Sequence, residues 1–489
     1  GYTTRTHALT KALSLSGVKL TVMTRPGYPW DRNDRKGSPT GLNTVVDKIE
    51  YRHVRHPSQA LPLDIYLQEA ARSIAVVAKE IRATAIHAAS NHVNALPALI
   101  AARQLDIPFY YEMRGLWELT RASKVLGYEE TERFKLGVDL EALVARGADH
   151  VYVISPQLSN YIKTHWGINP DTISVLPNCI NTEDFSNITS TAIEPFSVGY
   201  AGALVPYEGL DLLIEAVKEL AQRGIRVSVQ IIGDGESRSA LEEQVKDLGL
   251  TDQIQFLGKQ TPEFARQALA GVSVVCIPRK AHKVCELIPP IKLVEAMALS
   301  KPVIVPDLPV FRDEVADGTT GYFFKAGNAK DLAKVIETCL TQCDNARKIG
   351  TTAHDMVLAN RTWVKFAKDI ADNHAITATD QSALVSIDTP QPIITQSVIS
   401  TLPTDDSIYL EIFRRAGTTG VIDQILNQFA GSARNGAREL LRVGKLLNNA
   451  GCIDAEYPIA LKSLECERSA SMLRGVFWAA QRAKKYDIA

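Results

Sequence analysis

The run Glu286-Leu287-Ile288-Pro289-Pro290-Ile291-Lys292-Leu293-Val294-Glu295-Ala296-Met297-Ala298 gathers two carboxylates, a lysine and a proline pair ahead of an apolar helical stretch. Proline fits the first turn of a helix, where its missing N–H costs no bond, so a helix is predicted to start at Pro290. The free N–H groups and positive dipole end of such a helix form an anion site. A diphosphate could rest on the N–H groups of Ile291 and Lys292. Glu295 lies about one turn further in, where its carboxylate can accept hydrogen bonds from two vicinal hydroxyls, as on a ribose. Glu286 precedes the helix and could hold hydroxyls of a second sugar. Lys301-Pro302-Val303-Ile304-Val305 then reads as a parallel strand. The helix start would thus lie at the carboxyl edge of a sheet, where open α/β folds bind ligands.

Positioning these groups requires an alternating chain. Strands are predicted at 18–23, 49–54, 84–88, 109–112, 150–154 and 173–176. A second series is predicted at 197–201, 227–232, 254–257, 272–277, 303–305 and 321–324. Amphipathic stretches separate them. In 208–220, Leu210, Leu213, Ile214, Val217 and Leu220 fall on one helical face. Strand and helix in alternation mean parallel sheets covered on both faces. Two series of similar length imply two α/β domains with a break near 178–197. Residues 378–404, rich in Ser, Thr, Gln and Pro, read as a linker. Beyond it, 437–447, 455–464 and 469–483 read as packed helices, the first ended by Gly451.

Composition bounds the function. The 489 residues are 45% hydrophobic and 22% charged, which suits a globular chain of two or three domains. A net charge of -1 gives no whole-chain attraction to nucleic acid. Cys339 and Cys343 stand one helical turn apart, but no pair lies near enough in sequence to complete a zinc set. Scattered cysteines, seven in all, suggest reduced thiols in a cytosolic protein. Residues 83–102 lack Asp, Glu, Lys and Arg, yet carry His87, Ser90, Asn91, His92, Asn94 and Pro97. They read as strand, polar loop and helix, not as a membrane span. No signal peptide is visible, and the chain, opening at Gly1-Tyr2-Thr3-Thr4, looks as if it starts one strand late.

The 286–305 segment resembles the donor-site signature of the family-4 glycosyltransferases: a first Glu, a phosphate-binding helix start, Glu-Ala-Met-Ala and a Lys-Pro-Val-Ile strand. Other segments are similar to that family in the right order. They are Gly1–His7 as the first loop, Val175–Asn178 as the interdomain junction and Ser197–Ile214 as the opening of the second domain. Gly233-Asp234-Gly235, Phe256-Leu257-Gly258, Gly318–Phe324 and Arg361-Thr362-Trp363 follow. The resemblance covers roughly residues 1–375. It implies an α/β fold of two Rossmann-like domains facing a cleft, the GT-B architecture, here with a C-terminal helical extension. The implied domains are an acceptor-side domain at 1–178, lacking its central first strand, and a nucleotide-sugar domain at 179–360. A helix at 361–377 crosses back to the first domain, 378–405 is a linker, and 406–489 is a helical module.

The resemblance further implies transfer of a hexose from a nucleotide diphosphate sugar, with UDP favoured and GDP the alternative. Transfer would retain anomeric configuration and need no metal or cofactor. The acceptor would be a glycan or a lipid-linked sugar in polysaccharide or lipopolysaccharide assembly. The setting would be cytoplasmic, with peripheral contact at the inner membrane face and no nucleic acid. By position, Glu295 holds ribose, Glu286 the donor sugar, and Pro290, Ile291 and Lys292 the phosphates. Gly258 and Lys259 lie near the base. Gly202 belongs to the donor site, and Gly1 lets backbone approach phosphate. The chain departs from the pattern in three places. Nine positions separate its two Glu residues, one more than usual, as in a subset with Pro-x-Lys before the second Glu. Ala203 and Glu208 stand where basic residues are common. The diphosphate must then draw charge from Arg279, Lys280, Lys283, Lys292, or Arg114 across the cleft.

Arg114 ends a strand at the cleft edge, in Tyr111-Glu112-Met113-Arg114. A cation there would stabilise a leaving diphosphate; the alternative is a surface Arg–Glu pair of little worth. Asn91, His92, Glu112 and Trp117 are acceptor-side candidates. Against this, Asn91 and His92 also fit a helix N-cap with solvated histidine, and Trp117 ordinary packing. The terminal helices could dock a protein partner or be a plain appendage. Two other classes remain open: a degenerate scaffold protein, favoured by Ala203 and Glu208, and a nucleotide-sugar epimerase.

Overall fold

The computed structural model describes residues 2–32, 41–186, 188 and 192–381. In the C-terminal segment it describes 421–423, 425–427, 433–449, 459–460 and 462–463. The chain divides into two compact units, Gly1–Leu384 and Val385–Ala489.

Seven strands lie in the first half of unit one: β1 (Val22–Met23), β2 (Asn43–Val46), β3 (Ile49–Arg52), β4 (Ile86–Ala89), β5 (Phe109–Met113), β6 (His150–Val153) and β7 (Ile173–Val175). They form two sheets, a three-stranded one ordered β1-β3-β2 and a parallel four-stranded one ordered β4-β5-β6-β7. Phe109, Tyr110, Tyr111, Glu112 and Met113 are all buried, as befits a central parallel strand covered on both faces. The expected single sheet is thus divided between β1 and β4. Sequence reading also missed β2. It pairs antiparallel with β3 through Asp47 and Lys48, which carry positive φ values of 49° and 68°. The residues of β2 are all exposed, so no buried face marked it in the sequence.

The expected first loop at Gly1–His7 is a correction. Tyr2–Leu15 is a helix, with Ala8, Leu9, Ala12 and Leu13 buried at helical spacing. Gly1 itself lies outside the described residues.

The second half holds six strands: β8 (Ser197–Ala201), β9 (Ser228–Ile232), β10 (Ile254–Gly258), β11 (Val274–Cys276), β12 (Val303–Pro306) and β13 (Tyr322–Phe324). Their order, β10-β9-β8-β11-β12-β13, is all parallel and reverses direction between β8 and β11. This is the doubly wound order, and ligands bind outside the carboxyl ends of the strands at the reversal. The 210–222 helix packs on this sheet through Leu210, Leu213, Ile214, Val217 and Leu220, the face read from sequence.

After β13, helices 329–341 and 343–360 lead to Trp363–Gln381. This last helix returns to the first half, where Trp363, Ala367 and Ile370 pack with Leu9, Leu13, Tyr110 and Tyr152. It runs through Gln381, so helix occupies the first four residues of the expected linker. Among the described residues, no helix is long and apolar enough to cross a membrane. In unit two, the helix Ala433–Asn449 buries Leu440, Val443 and Leu447 against Val421, Ile425 and Ile459. It contains the expected 437–447 helix. The 469–483 helix and Gly451 lie outside the described residues.

Candidate functional site

The reversal between β8 and β11 places Gly202 on one side and Arg279 on the other. From β11 the chain passes through a short helix, Lys283–Leu287, and an extended turn at 288–290 into the helix Ile291–Ala298. Pro290 is the N-cap, with φ -75° and ψ 138°, so the helix begins one residue later than expected. Pro289 precedes a proline and is confined to extended backbone, which helps fix this turn.

Three consecutive carbonyls of the turn are taken by side chains from three places. Ser155 Oγ donates to the Leu287 carbonyl at 2.5 Å, Arg279 Nη1 to Ile288 at 2.9 Å, and Asn178 Nδ2 to Pro289 at 2.9 Å. A buried carbonyl without a donor is costly, so these bonds set the aim of the helix start. Ile291 and Lys292, as its first two residues, have N–H groups with no intrahelical acceptor.

Lys292 lies beneath that turn. Its Nζ is 2.7 Å from Glu208 Oε2, donates to Tyr200 Oη at 2.8 Å, and stands 4.5 Å from the centre of the Tyr200 ring. A Cβ at Gly202 would lie 2.6 Å from this Nζ, so the glycine makes room for the ammonium. Arg279 Nη2 donates to the other oxygen of Glu208 at 2.8 Å. Glu208 is 3% exposed. Burial works to raise its pKa, but Arg279 and Lys292 outweigh that and bring it down to about 2. One carboxylate against two cations leaves one positive charge in surplus.

Glu295 is half-buried in the same helix, and burial pushes its pKa up. Among the described residues its side chain has no hydrogen bond or ion pair. Glu286 sits in the preceding short helix, about a third exposed, 3.2 Å from Lys283 Nζ. Lys280 is tied to Asp211 at 2.6 Å. These two lysines are therefore engaged at the surface, whereas Arg279 is buried and Lys292 half-buried beside the helix start. Gly258 ends β10 with φ +67° and accepts from the Gly233 N–H at 2.8 Å; Lys259 beside it is exposed. A Cβ at Gly233 would meet the Gly202 carbonyl at 1.8 Å, so only glycine lets the β8 and β9 loops touch.

Across the cleft, Glu112 is clamped by two arginines. Arg5 Nε donates to it at 2.8 Å and Arg114 Nη2 binds its other oxygen. All three side chains are buried. Burial raises the Glu112 pKa, but Arg114 and Arg5 win and hold it well below the usual carboxylate range. The Arg–Glu pair is not a surface pair, and Glu112 is enclosed and does not face an acceptor. Arg5 also donates to the carbonyls of Leu176 and Pro177 and to Asn178 Oδ1. Asn178 in turn holds Pro289. The end of β5 is thus wired to the turn at 288–290 through Glu112, Arg5 and Asn178.

His92 points inward. Its N–H donates to Glu141 at 2.7 Å, its ring Nδ1 is 3.3 Å from the same oxygen, and Tyr111 holds the other oxygen. It is therefore neither solvated nor turned to the cleft. Asn91 occupies the N-cap position without a side-chain cap bond. Trp117 is 53% exposed on the short helix Trp117–Ala122, which packs near the helix carrying Glu286. Just beyond, Lys124 Nζ reaches Glu236 of the second half at 2.8 Å.

Residues 1–179 match the "Glycosyl transferase 4-like domain" family and 182–356 the "Glycosyl transferases group 1" family. The chain belongs to the family-4 glycosyltransferases. Among its relatives in this family, the D-inositol 3-phosphate glycosyltransferase of Corynebacterium diphtheriae is 23% identical over 54% of this chain and 64% of its own length. The phosphatidyl-myo-inositol mannosyltransferase of Mycobacterium leprae is 27% identical over 42% and 54%. The chain therefore spans less than two thirds of these relatives. The fold is similar to sucrose-phosphate synthase of Thermosynechococcus elongatus, with a TM-score of 0.63 and 17% identity over 78% of this chain and 94% of that one. It is also similar to Anabaena HepE in complex with UDP, with a TM-score of 0.54 and 19% identity over 67% and 87%. Both share the two-domain glycosyltransferase fold, GT-B.

Proposed function

We propose that this glycosyltransferase-family chain moves a hexose from a nucleoside diphosphate sugar, UDP-linked in preference to GDP-linked, onto a glycan or lipid-linked acceptor. Glu295 carries the reading: a half-buried carboxylate with no described partner, one turn into a helix whose first N–H groups are free to meet an anion. The uridine diphosphate bound in HepE supports UDP by likeness of fold. The inositol named in the two relatives keeps a polyol acceptor in view. Arg279 and Lys292 supply the charge that Ala203 and Glu208 do not, which weighs against a degenerate scaffold.

In the proposed reaction the diphosphate rests on Ile291, Lys292 and the Gly202 turn. Glu295 takes the ribose hydroxyls and Glu286 orients the hexose. The bond from C1 to the diphosphate oxygen breaks and the bond from C1 to the acceptor oxygen forms on the same face, with retention. The acceptor proton passes to the leaving phosphate. Closing the two halves excludes water. No metal or cofactor is invoked, and polysaccharide or lipopolysaccharide assembly at the inner membrane face is the proposed setting. The test is product analysis with UDP-glucose, UDP-galactose and GDP-mannose, with and without a glycan acceptor. The expected result is an acceptor-dependent product of the donor's own anomeric configuration. Epimerised donor formed without acceptor, or no turnover of any donor, contradicts the reading.

A further inference from the structure

We infer that Glu208 is a positioning residue that aims Lys292 and Arg279 at the donor diphosphate and limits that subsite to one surplus positive charge. The inference rests on the nucleotide-sugar reading of the site. Glu208 lies in the turn that follows β8, on one side of the strand-order reversal; Lys292 and Arg279 come from the other side. Each of its oxygens is given to one cation, at 2.7 and 2.8 Å. An unpaired carboxylate would not be tolerated at 3% exposure, so the cations and the carboxylate are one assembly. Both cations are further fixed toward the anion site. Lys292 Nζ is held by Tyr200 against the Gly202 turn, and Arg279 by the carbonyl that precedes the helix start.

Two uncompensated cations would hold a nucleoside diphosphate tightly. The product of transfer is that same diphosphate, with more negative charge than the donor. A buried counter-anion therefore weakens product retention while keeping both cations in place. Replacing it removes one negative charge from a low-dielectric site, where charge is felt strongly.

The test compares Glu208→Gln with the unchanged protein by calorimetry. The probes are whichever of UDP, GDP, ADP and dTDP binds best, and its nucleoside. The variant is expected to bind the diphosphate at least about threefold more tightly, with a steeper loss in salt, and the nucleoside as before. Its kcat should fall with KM unchanged or lower, because release slows. Lys292→Gln should weaken the diphosphate alone. If Glu208→Gln fails to fold, Glu208→Gln with Lys292→Gln restores the charge balance. That double variant should show a salt dependence like that of the unchanged protein. Equal changes for diphosphate and nucleoside would mean that Glu208 only supports the fold, and unchanged or weakened diphosphate binding in a folded variant would overturn the inference. Absence of binding by every nucleotide to the unchanged protein would instead remove the donor reading itself.

Discussion

At Glu295 a single carboxylate joins stability to binding. Burial raises its pKa above the ordinary 4.5. Its protonated form is therefore favoured in the fold, and that contribution to stability is lost as pH rises through the raised value. The ribose contact proposed for Glu295 needs the ionised form. Nucleotide affinity should accordingly fall as pH is lowered through a midpoint above 4.5, and Glu295→Gln should flatten that profile in a calorimetric series. Glu112 and Glu208 have the opposite sign. Both are depressed, Glu208 to about 2, so the stability they contribute is present above the ordinary carboxylate value and lost on acidification. Glu112→Ala would leave two buried guanidiniums without their counter-ion and should cost about 3–5 kcal/mol in urea unfolding. A cost under about 1 kcal/mol would mean that the pair is solvated. The sequence named Glu286, Glu295, Lys292 and Arg279 because their spacing is local. It did not reveal Arg5, Ser155 or the tie through Asn178, whose partners lie 107, 132 and 111 positions away. Arg5 left one signal, a charged residue interrupting a short stretch that is otherwise neutral.

At the scale of elements, the turn before the Ile291–Ala298 helix owes its shape to its three satisfied carbonyls. Asn178→Ala removes the donor to Pro289 and the acceptor for Arg5 together. It should cost about 1–3 kcal/mol in urea unfolding, from the buried groups left without a partner, and the folded variant should also bind nucleotide more weakly. A loss of stability with unchanged nucleotide affinity would mean that Asn178 only holds the halves together. The strands were legible to within a few residues where burial imposed a pattern. β8 came out as Ser197–Ala201 because its apolar residues sit under the sheet's own helices. β2 did not, because all of its side chains face water, and the Tyr2–Leu15 helix was hidden by a polar start resembling a loop.

For unit one as a whole, the two halves are held by contacts of very different strength. Trp363 is 2% exposed and packs the returning helix on the first half, with Arg5 stacked 4.8 Å over its ring. Trp363→Ala should cost about 3–5 kcal/mol. Lys124 and Glu236 meet at 2.8 Å but are 30% and 54% exposed. Their pair is worth under about 1 kcal/mol, so Lys124→Ala should leave thermal stability unchanged. The doubly wound order, with its reversal beside Gly202 and Arg279, is what brings Glu286, Ile291, Lys292 and Glu295, the groups proposed to meet hexose, phosphate and ribose, to one edge. The measurement that bears on this most directly is calorimetric titration of the unchanged protein and Glu295→Ala with UDP, GDP, ADP and dTDP. One nucleotide is expected to bind, and the variant should lose about 1.5–3 kcal/mol of that affinity. Equal affinity in both proteins would contradict the placement of the ribose at Glu295, and with it the donor site at the Ile291–Ala298 helix.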